Sequence, residues 1–270
     1  INTLKDQSSA SKREVALTTL GQLIKSTGYV ITPFIDYPQL LDILLNEIKT
    51  EQLPAIRSKV LRVVGIIGAI DPYRHKMTLL KHNPTQQNKL DQPNLRSEED
   101  MMDGLSPASE DYYPTVAIAK LLRILRDPSL SPHHMSVVQA MTSKICSSLG
   151  TKCIRFLPEI MPPLLSTMGY CETGFRRFLF QQVATLVSIA KQHIRDYLPD
   201  IFARIREFWR EPYLPNILSL IEEISSALKD EFKSYLPDLL PRILDSICYP
   251  IETGSAEVPT KVLQTLEGFG

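Results

Sequence analysis

The sequence predicts an all-α protein, a right-handed stack of antiparallel helical hairpins, and three observations predict it. A short phrase recurs in the second half: Phe156-Leu157-Pro158-Glu159-Ile160, Tyr197-Leu198-Pro199-Asp200-Ile201 and Tyr235-Leu236-Pro237-Asp238-Leu239, with prolines 41 and then 38 residues apart. A second element recurs near the front, where Arg13-Glu14-Val15-Ala16-Leu17-Thr18-Thr19-Leu20-Gly21 and Arg57-Ser58-Lys59-Val60-Leu61-Arg62-Val63-Val64-Gly65 match in phase, 44 residues apart. Apolar residues recur at three- and four-residue spacing, and the strict alternation of a half-buried strand is missing from the sequence.

Self-similarity near ~40 residues is the signature of stacked helix pairs of the HEAT or armadillo kind. From the N-terminus, 13–21 reads as the second helix of a HEAT unit: a basic residue opens an apolar helix and a small residue follows two turns later. Tyr37-Pro38 opens Leu40-Leu41-Asp42-Ile43-Leu44-Leu45, a first helix, and 57–65 follows as its second. A glycine inside a helix costs about 1 kcal/mol against alanine, so Gly21 and Gly65 predict close approach by a neighbouring helix. Residues 77–111 break the pattern with Asn83-Pro84-Thr85-Gln86-Gln87-Asn88, Arg96-Ser97-Glu98-Glu99-Asp100 and Ser106-Pro107. This polar, aperiodic run predicts a disordered insertion between hairpins.

Tyr113-Pro114 opens the next first helix, with Ile118, Leu121, Leu122 and Leu125 facing inward. Each Leu-Pro-acid phrase then reads as a helix start. Proline lacks an amide proton, which costs nothing in a first turn, and the acid after it suits the positive end of the helix dipole. Apolar stripes fill the intervals: Leu179, Val183, Leu186, Val187, Ala190; then Leu198, Ile201, Phe202, Ile205, Phe208, Trp209; then Leu214, Ile217, Leu218, Ile221, Ile224, Leu228. The expected organisation is a HEAT-repeat α-solenoid, with repeats over 1–76, the insertion 77–111 and repeats over 112–270. That is about six hairpins from roughly eleven helices.

Composition narrows the function classes. Lys plus Arg and Asp plus Glu number 30 each, a balance that gives no pointer to nucleic acid or membrane. A hydrophobic content of 43% supports a continuous core, and the sequence has no apolar run near the ~18 residues of a bilayer span. Cys146, Cys153, Cys171 and Cys248 show no C-x-x-C spacing, which argues against zinc and a disulfide framework and for reduced, intracellular thiols. The chain starts at Ile1 without methionine and stops within what reads as a repeat. It is therefore expected to be a piece of something longer, with 1–10 and 256–270 the first to open in hydrogen exchange.

Candidate chemistry is weaker than its structural alternatives. His193-Ile194-Arg195-Asp196 approximates the kinase H-R-D loop, but the isoleucine breaks it and Ile201 stands where asparagine is required. Asp196 is expected instead to cap the following helix. No Gly-rich phosphate loop precedes it, and Gly268-Phe269-Gly270 is not D-F-G. His133-His134 could suggest a metal, yet adjacent helical positions point ~100° apart, so a solvated first turn is the expectation. Arg204, Arg206 and Arg210, with Arg176 and Arg177, could form a nucleic-acid track. Glu207, Glu211 and Glu172 make a salt-laced outer face the stronger reading. Trp209 is expected in the core, and Ser106 is either a proline-directed phosphosite or, more simply, a linker serine. The sequence therefore assigns no catalytic, cofactor or metal residue.

Several phrases carry a family resemblance. Ser26-Thr27-Gly28-Tyr29-Val30, Asp71-Pro72-Tyr73-Arg74-His75-Lys76 and Asp127-Pro128-Ser129-Leu130-Ser131-Pro132-His133-His134 resemble the helical region of the target of rapamycin (TOR) kinases. So do Phe178-Leu179-Phe180-Gln181-Gln182, Arg206-Glu207-Phe208-Trp209 and Glu231-Phe232-Lys233-Ser234-Tyr235-Leu236-Pro237. The likeness runs in order from about residue 11 to 268, lapses at 77–111 and weakens at Glu211-Pro212-Tyr213-Leu214-Pro215. TOR kinases are large serine/threonine kinases of the phosphatidylinositol-3-kinase-related group that control growth in response to nutrients, in the complexes TORC1 and TORC2.

The resemblance implies a non-catalytic HEAT segment upstream of the FAT, rapamycin-binding and kinase regions. Such a segment would dock a Raptor-like or Rictor-like adaptor and help two TOR chains pair. ATP and magnesium would belong to the kinase region alone. The resemblance further implies a cytoplasmic protein, brought to endomembrane or lysosome/vacuole surfaces by its partners, without binding nucleic acid or inserting into the bilayer. The alternative is a HEAT-repeat transport receptor or phosphatase scaffold; neutral charge speaks against the acidic importin type.

Overall fold

A computed structural model describes residues 1–6, 8–69, 111–210, 212–248 and 265. Among them every regular element is helical, as the periodicity requires. The chain divides into two compact units, Ile1–Ile160 and Met161–Gly270.

In the first unit, α1 (Asn2–Lys5) and α2 (Ala10–Thr27) lead to α3 (Thr32–Asp36), α4 (Gln39–Thr50) and α5 (Pro54–Ile66). Ser9 caps α2 by accepting from Lys12 N–H, and Gly28 ends it in the left-handed region (φ 71°), its N–H bonded to Ile24 O. After the undescribed residues come α6 (Tyr112–Arg126) and α7 (Ser131–Gln139). α7 runs on through a π-helical turn, Ala140–Cys146, into Ser147–Leu149. Of the predicted insertion only Asp111 is described; it stands at the N-cap position of α6 and pairs with Arg155. The rest of 77–111, Ser106 included, lies outside the described residues.

Two layers result. First helices α4 and α6 touch one another, and second helices α2, α5 and α7 lie side by side. Gly21 faces Val63, and Ile24 and Gly28 lie by Ile66 and Ala69, while Gly65 and Gly68 face Lys144 and Ile145, so residue numbers rise together and the second helices run parallel. The core between the layers is aliphatic: Leu17, Leu44, Ile48, Val60, Val64, Ile118, Leu121 and Val137 are fully or almost fully buried.

The helix starts predicted from the Leu-Pro phrases are in place. α8 (Leu157–Tyr170), α10 (Leu198–Glu207) and α12 (Leu236–Cys248) each begin at the leucine, with Glu159, Asp200 and Asp238 in the first turn. The division between the two units falls within α8. In the second unit α9 (Thr173–Ala190) packs along α11 (Leu214–Leu228), and the predicted stripes on both are buried.

Three expectations fail locally. Asp196 does not cap α10: it lies in a 3-10 turn, Lys191–Tyr197, and Tyr197 takes the N-cap position without a side-chain bond. α10 ends at Glu207, so Phe208 and Trp209 belong to the connection, where Phe208 is buried and Trp209 half-buried. Gly21 meets only ordinary contact, since a Cβ there would lie 3.5 Å from Val63 Cγ2.

Candidate protein-docking surface

The second-helix face of the first unit is fixed by two devices. Arg13 and Arg57, matched in the sequence repeat, converge on one residue. Arg13 Nη2 donates to Glu51 Oε2 at 2.7 Å with both side chains buried. Arg57 Nε and Nη2 donate to the Glu51 carbonyl at 3.2 and 2.5 Å. Burial by itself raises the pKa of Glu51, but the Leu53 N–H and the Arg13 guanidinium outweigh it and hold the carboxyl below the ordinary range.

The second device is close approach. A Cβ on Gly65 would sit 2.6 Å from Lys144 Cβ, and one on Gly68 would sit 2.5 Å from Ile145 O. α5 therefore meets the π turn of α7 nearly backbone to backbone, as the glycine at 65 predicts.

Across this face the grooves are cationic. Between α2 and α5 a recess of ≈ 60 Å³ is lined by Leu17, Thr18, Gly21, Gln22, Lys25, Lys59, Arg62 and Val63. Between α5 and α7 one of ≈ 210 Å³ is lined by Pro54, Arg57, Ser58, Leu61, Ser136, Gln139 and Lys144. At the C-terminal ends of the same helices a recess of ≈ 420 Å³ is lined by Ile24, Lys25, Gly28, Val30, Ile66, Ala69 and Ser148.

The residues flagged by sequence turn out to be structural. In His193-Ile194-Arg195-Asp196, Ile194 is buried, Arg195 Nε donates to Glu231 Oε2 at 2.8 Å, and Ile201 is buried in the core. These residues do not fit ATP–magnesium. His134 is not solvated: it is buried, and Nε2–H donates to Asp127 O at 2.9 Å and Ile124 O at 3.1 Å, closing the end of α6. His133 Nδ1 is buried without a partner; desolvation, then Arg57, His134 and Lys49, lower its pKa and favour the neutral ring. Among the described residues, no three or more His, Cys, Asp or Glu side chains group to hold a metal.

Most of the arginine ridge is engaged locally, while Arg210 is exposed and forms no ion pair among the described residues. Arg176 donates to Met168 O and Cys171 O, each at 2.6 Å, and to Tyr213 Oη at 2.7 Å, with its guanidinium 4.3 Å from the Phe208 ring centroid. The Thr173 hydroxyl, then Arg176, hold the Tyr213 phenol below its ordinary pKa. Arg204 pairs with Glu207 and Arg206 with Asp238, while Arg177 reaches Asn216; Glu211 lies outside the described residues. Trp209 donates its indole N–H to Ser246 Oγ at 3.1 Å. Cys146 and Cys153 are free, buried and hydrogen-bonded to each other, which pushes the Cys146 thiol up and the Cys153 thiol down. Cys171 is also free, and burial raises its pKa.

Sequence reasoning missed one recurrent device. Gly150 (φ 57°), Lys191 (φ 53°) and Lys229 (φ 53°) share the same conformation, each eight positions before the proline of the next helix start. The signal was available: aligned on the prolines, two lysines fall on a glycine.

Hairpins in two layers, with polar groups spent on packing and capping, define the class as an armadillo/HEAT-type helical repeat protein. A designed armadillo repeat protein, solved with the peptide (KR)4, superposes with a TM-score of 0.52 at 13% identity, covering 100% of this chain and 98% of that one. Residues 30–191 match the family described as the serine/threonine-protein kinase mTOR domain. The chain is 44% identical to serine/threonine-protein kinase TOR2 of Saccharomyces cerevisiae and 44% identical to mTor of Drosophila melanogaster, over 100% and 99% of its length. It is 39% identical to TOR of Oryza sativa over 100%. The chain belongs to the TOR serine/threonine-protein kinase family. It spans 11% of the length of the yeast and fly relatives.

Proposed function

We propose that this chain is a non-catalytic scaffold segment of a TOR kinase. It docks a Raptor-like or Rictor-like adaptor and supports the pairing of two TOR chains, in the cytoplasm and at endomembrane or lysosome/vacuole surfaces reached through partners. In this reading ATP and magnesium serve a kinase region elsewhere in the protein, and phosphorylation of growth-control substrates in response to nutrients is the work of the whole.

One observation carries the reading: 44% identity to a TOR kinase over the whole of this chain falls on a stretch whose kinase-like His193-Ile194-Arg195-Asp196 is spent on packing and on an ion pair with Glu231. A surface for proteins suits the architecture, since the designed armadillo repeat protein of similar fold is in complex with the peptide (KR)4. Immobilised chain should retain purified adaptor or a second TOR chain; retention of neither would overturn the docking role. With ATP, magnesium and a substrate peptide it should transfer no phosphate, and measurable transfer would overturn the non-catalytic assignment.

A further inference from the structure

We propose that the face formed by α2, α5 and α7 docks an acidic, extended segment of a protein partner. This rests on the scaffold reading and specifies the chemistry of one partner. Lys25, Lys59 and Arg62 line the first groove, Arg57 and Lys144 the second, and no carboxylate or aromatic side chain lines either. The sequence keeps acids away: 52–69 and 128–156 contain neither Asp nor Glu. Glu14, on α2, lies outside both linings.

Several cations elsewhere on the protein are neutralised by a neighbouring carboxylate. Lys120 pairs with Asp42, Arg195 with Glu231, Arg206 with Asp238 and Lys233 with Asp230. Among the described residues Lys25, Lys59, Arg62 and Lys144 form no ion pair. Like charges gathered on one face repel, and a partner's carboxylates remove that cost.

Helices packed side by side lie ~8–10 Å apart, close to one three-residue turn of extended polyproline-II chain at ~3.1 Å per residue. In that conformation an acid at every third position points to the same side and meets successive grooves. Single-stranded nucleic acid fits less well, because neither groove offers an aromatic platform for bases.

The test is fluorescence anisotropy on the whole chain with a fluorescein-labelled synthetic peptide repeating Glu-Ser-Gly. Binding should weaken with salt, and Arg62→Glu with Lys144→Glu should weaken it about tenfold or more, since like charges then face each other. Lys233→Glu, on the second unit, should leave it unchanged. If the double reversal loses helical circular dichroism, Arg62→Gln with Lys144→Gln replaces it. The assignment falls if the acidic peptide does not bind, if a Lys-Ser-Gly peptide binds as well, or if the double variant binds normally. It also falls if oligo-dT or phosphatidylserine vesicles bind in preference and lose binding in the double variant. Adaptor retention is scored separately. Retention without acidic-peptide binding sinks this assignment alone, and peptide binding without retention sinks the adaptor role alone.

Discussion

Lys191 and Lys229 occupy a backbone region that suits glycine, and Gly150 shows what the same joint looks like with the unstrained residue. A side chain there costs free energy of order 1–3 kcal/mol, partly offset by the greater freedom glycine gives the unfolded chain. Lys191→Gly and Lys229→Gly should each stabilise the protein by about 1 kcal/mol in urea unfolding, and Gly150→Ala should destabilise it. Glu51 makes the opposite point. Glu51→Gln leaves Arg13 as a buried charge without its counter-ion and should cost about 3 kcal/mol. The folded carboxyl has a lowered pKa, so its contribution is complete above the unfolded glutamate value of about 4.3. It is lost as pH falls below that, through the folded pKa. The variant should therefore show a shallower acid-side decline. The joint was legible only by alignment on the prolines, where Lys191 and Lys229 fall on Gly150, since a lysine by itself does not announce a positive φ. Glu51 was not legible, because it is joined to Arg13 by the fold and not by nearness in sequence.

At the scale of the element, the two matched glycines separate. Gly65 abuts the π turn, where a methyl group would collide with Lys144 Cβ, whereas the same methyl at Gly21 finds ordinary contact. Gly65→Ala should destabilise by about 1–3 kcal/mol through overpacking. Gly21→Ala should stabilise by about 1 kcal/mol through helix propensity. Thermal melts of the two variants, moving in opposite directions, would check both. The sequence made Gly21 and Gly65 look equivalent because it records phase and not the neighbour's backbone. The π turn that makes the difference has no compositional mark. Helix starts were legible for the complementary reason: proline and an acid act within their own first turn, so no tertiary knowledge is required. The end of α6 was not, because His134 closes it from the next helix.

Across the whole molecule, repetition was the legible quantity and surface chemistry the illegible one. The prolines and apolar stripes placed the chain among helical repeats, and ordered phrases placed it in the TOR family, as the 44% identity to yeast TOR2 shows. A net charge of zero pointed to no charged partner. The sum conceals a division of labour, with Arg57, Arg62 and Lys144 on one face and carboxylates such as Asp42, Glu207 and Glu231 neutralising cations elsewhere. Charge balance over the chain and charge balance over a face are separate quantities, and only folding reveals the second.

The three turns also behave as a ruler. Successive prolines are 41 and 38 residues apart, yet the step from the positive-φ residue to its proline is eight each time. Differences in repeat length are thus absorbed by helices and their connections, never by the joint. Residues added within α9 or α11 in whole turns keep each stripe facing inward, but one residue added inside a joint would rotate everything downstream out of phase.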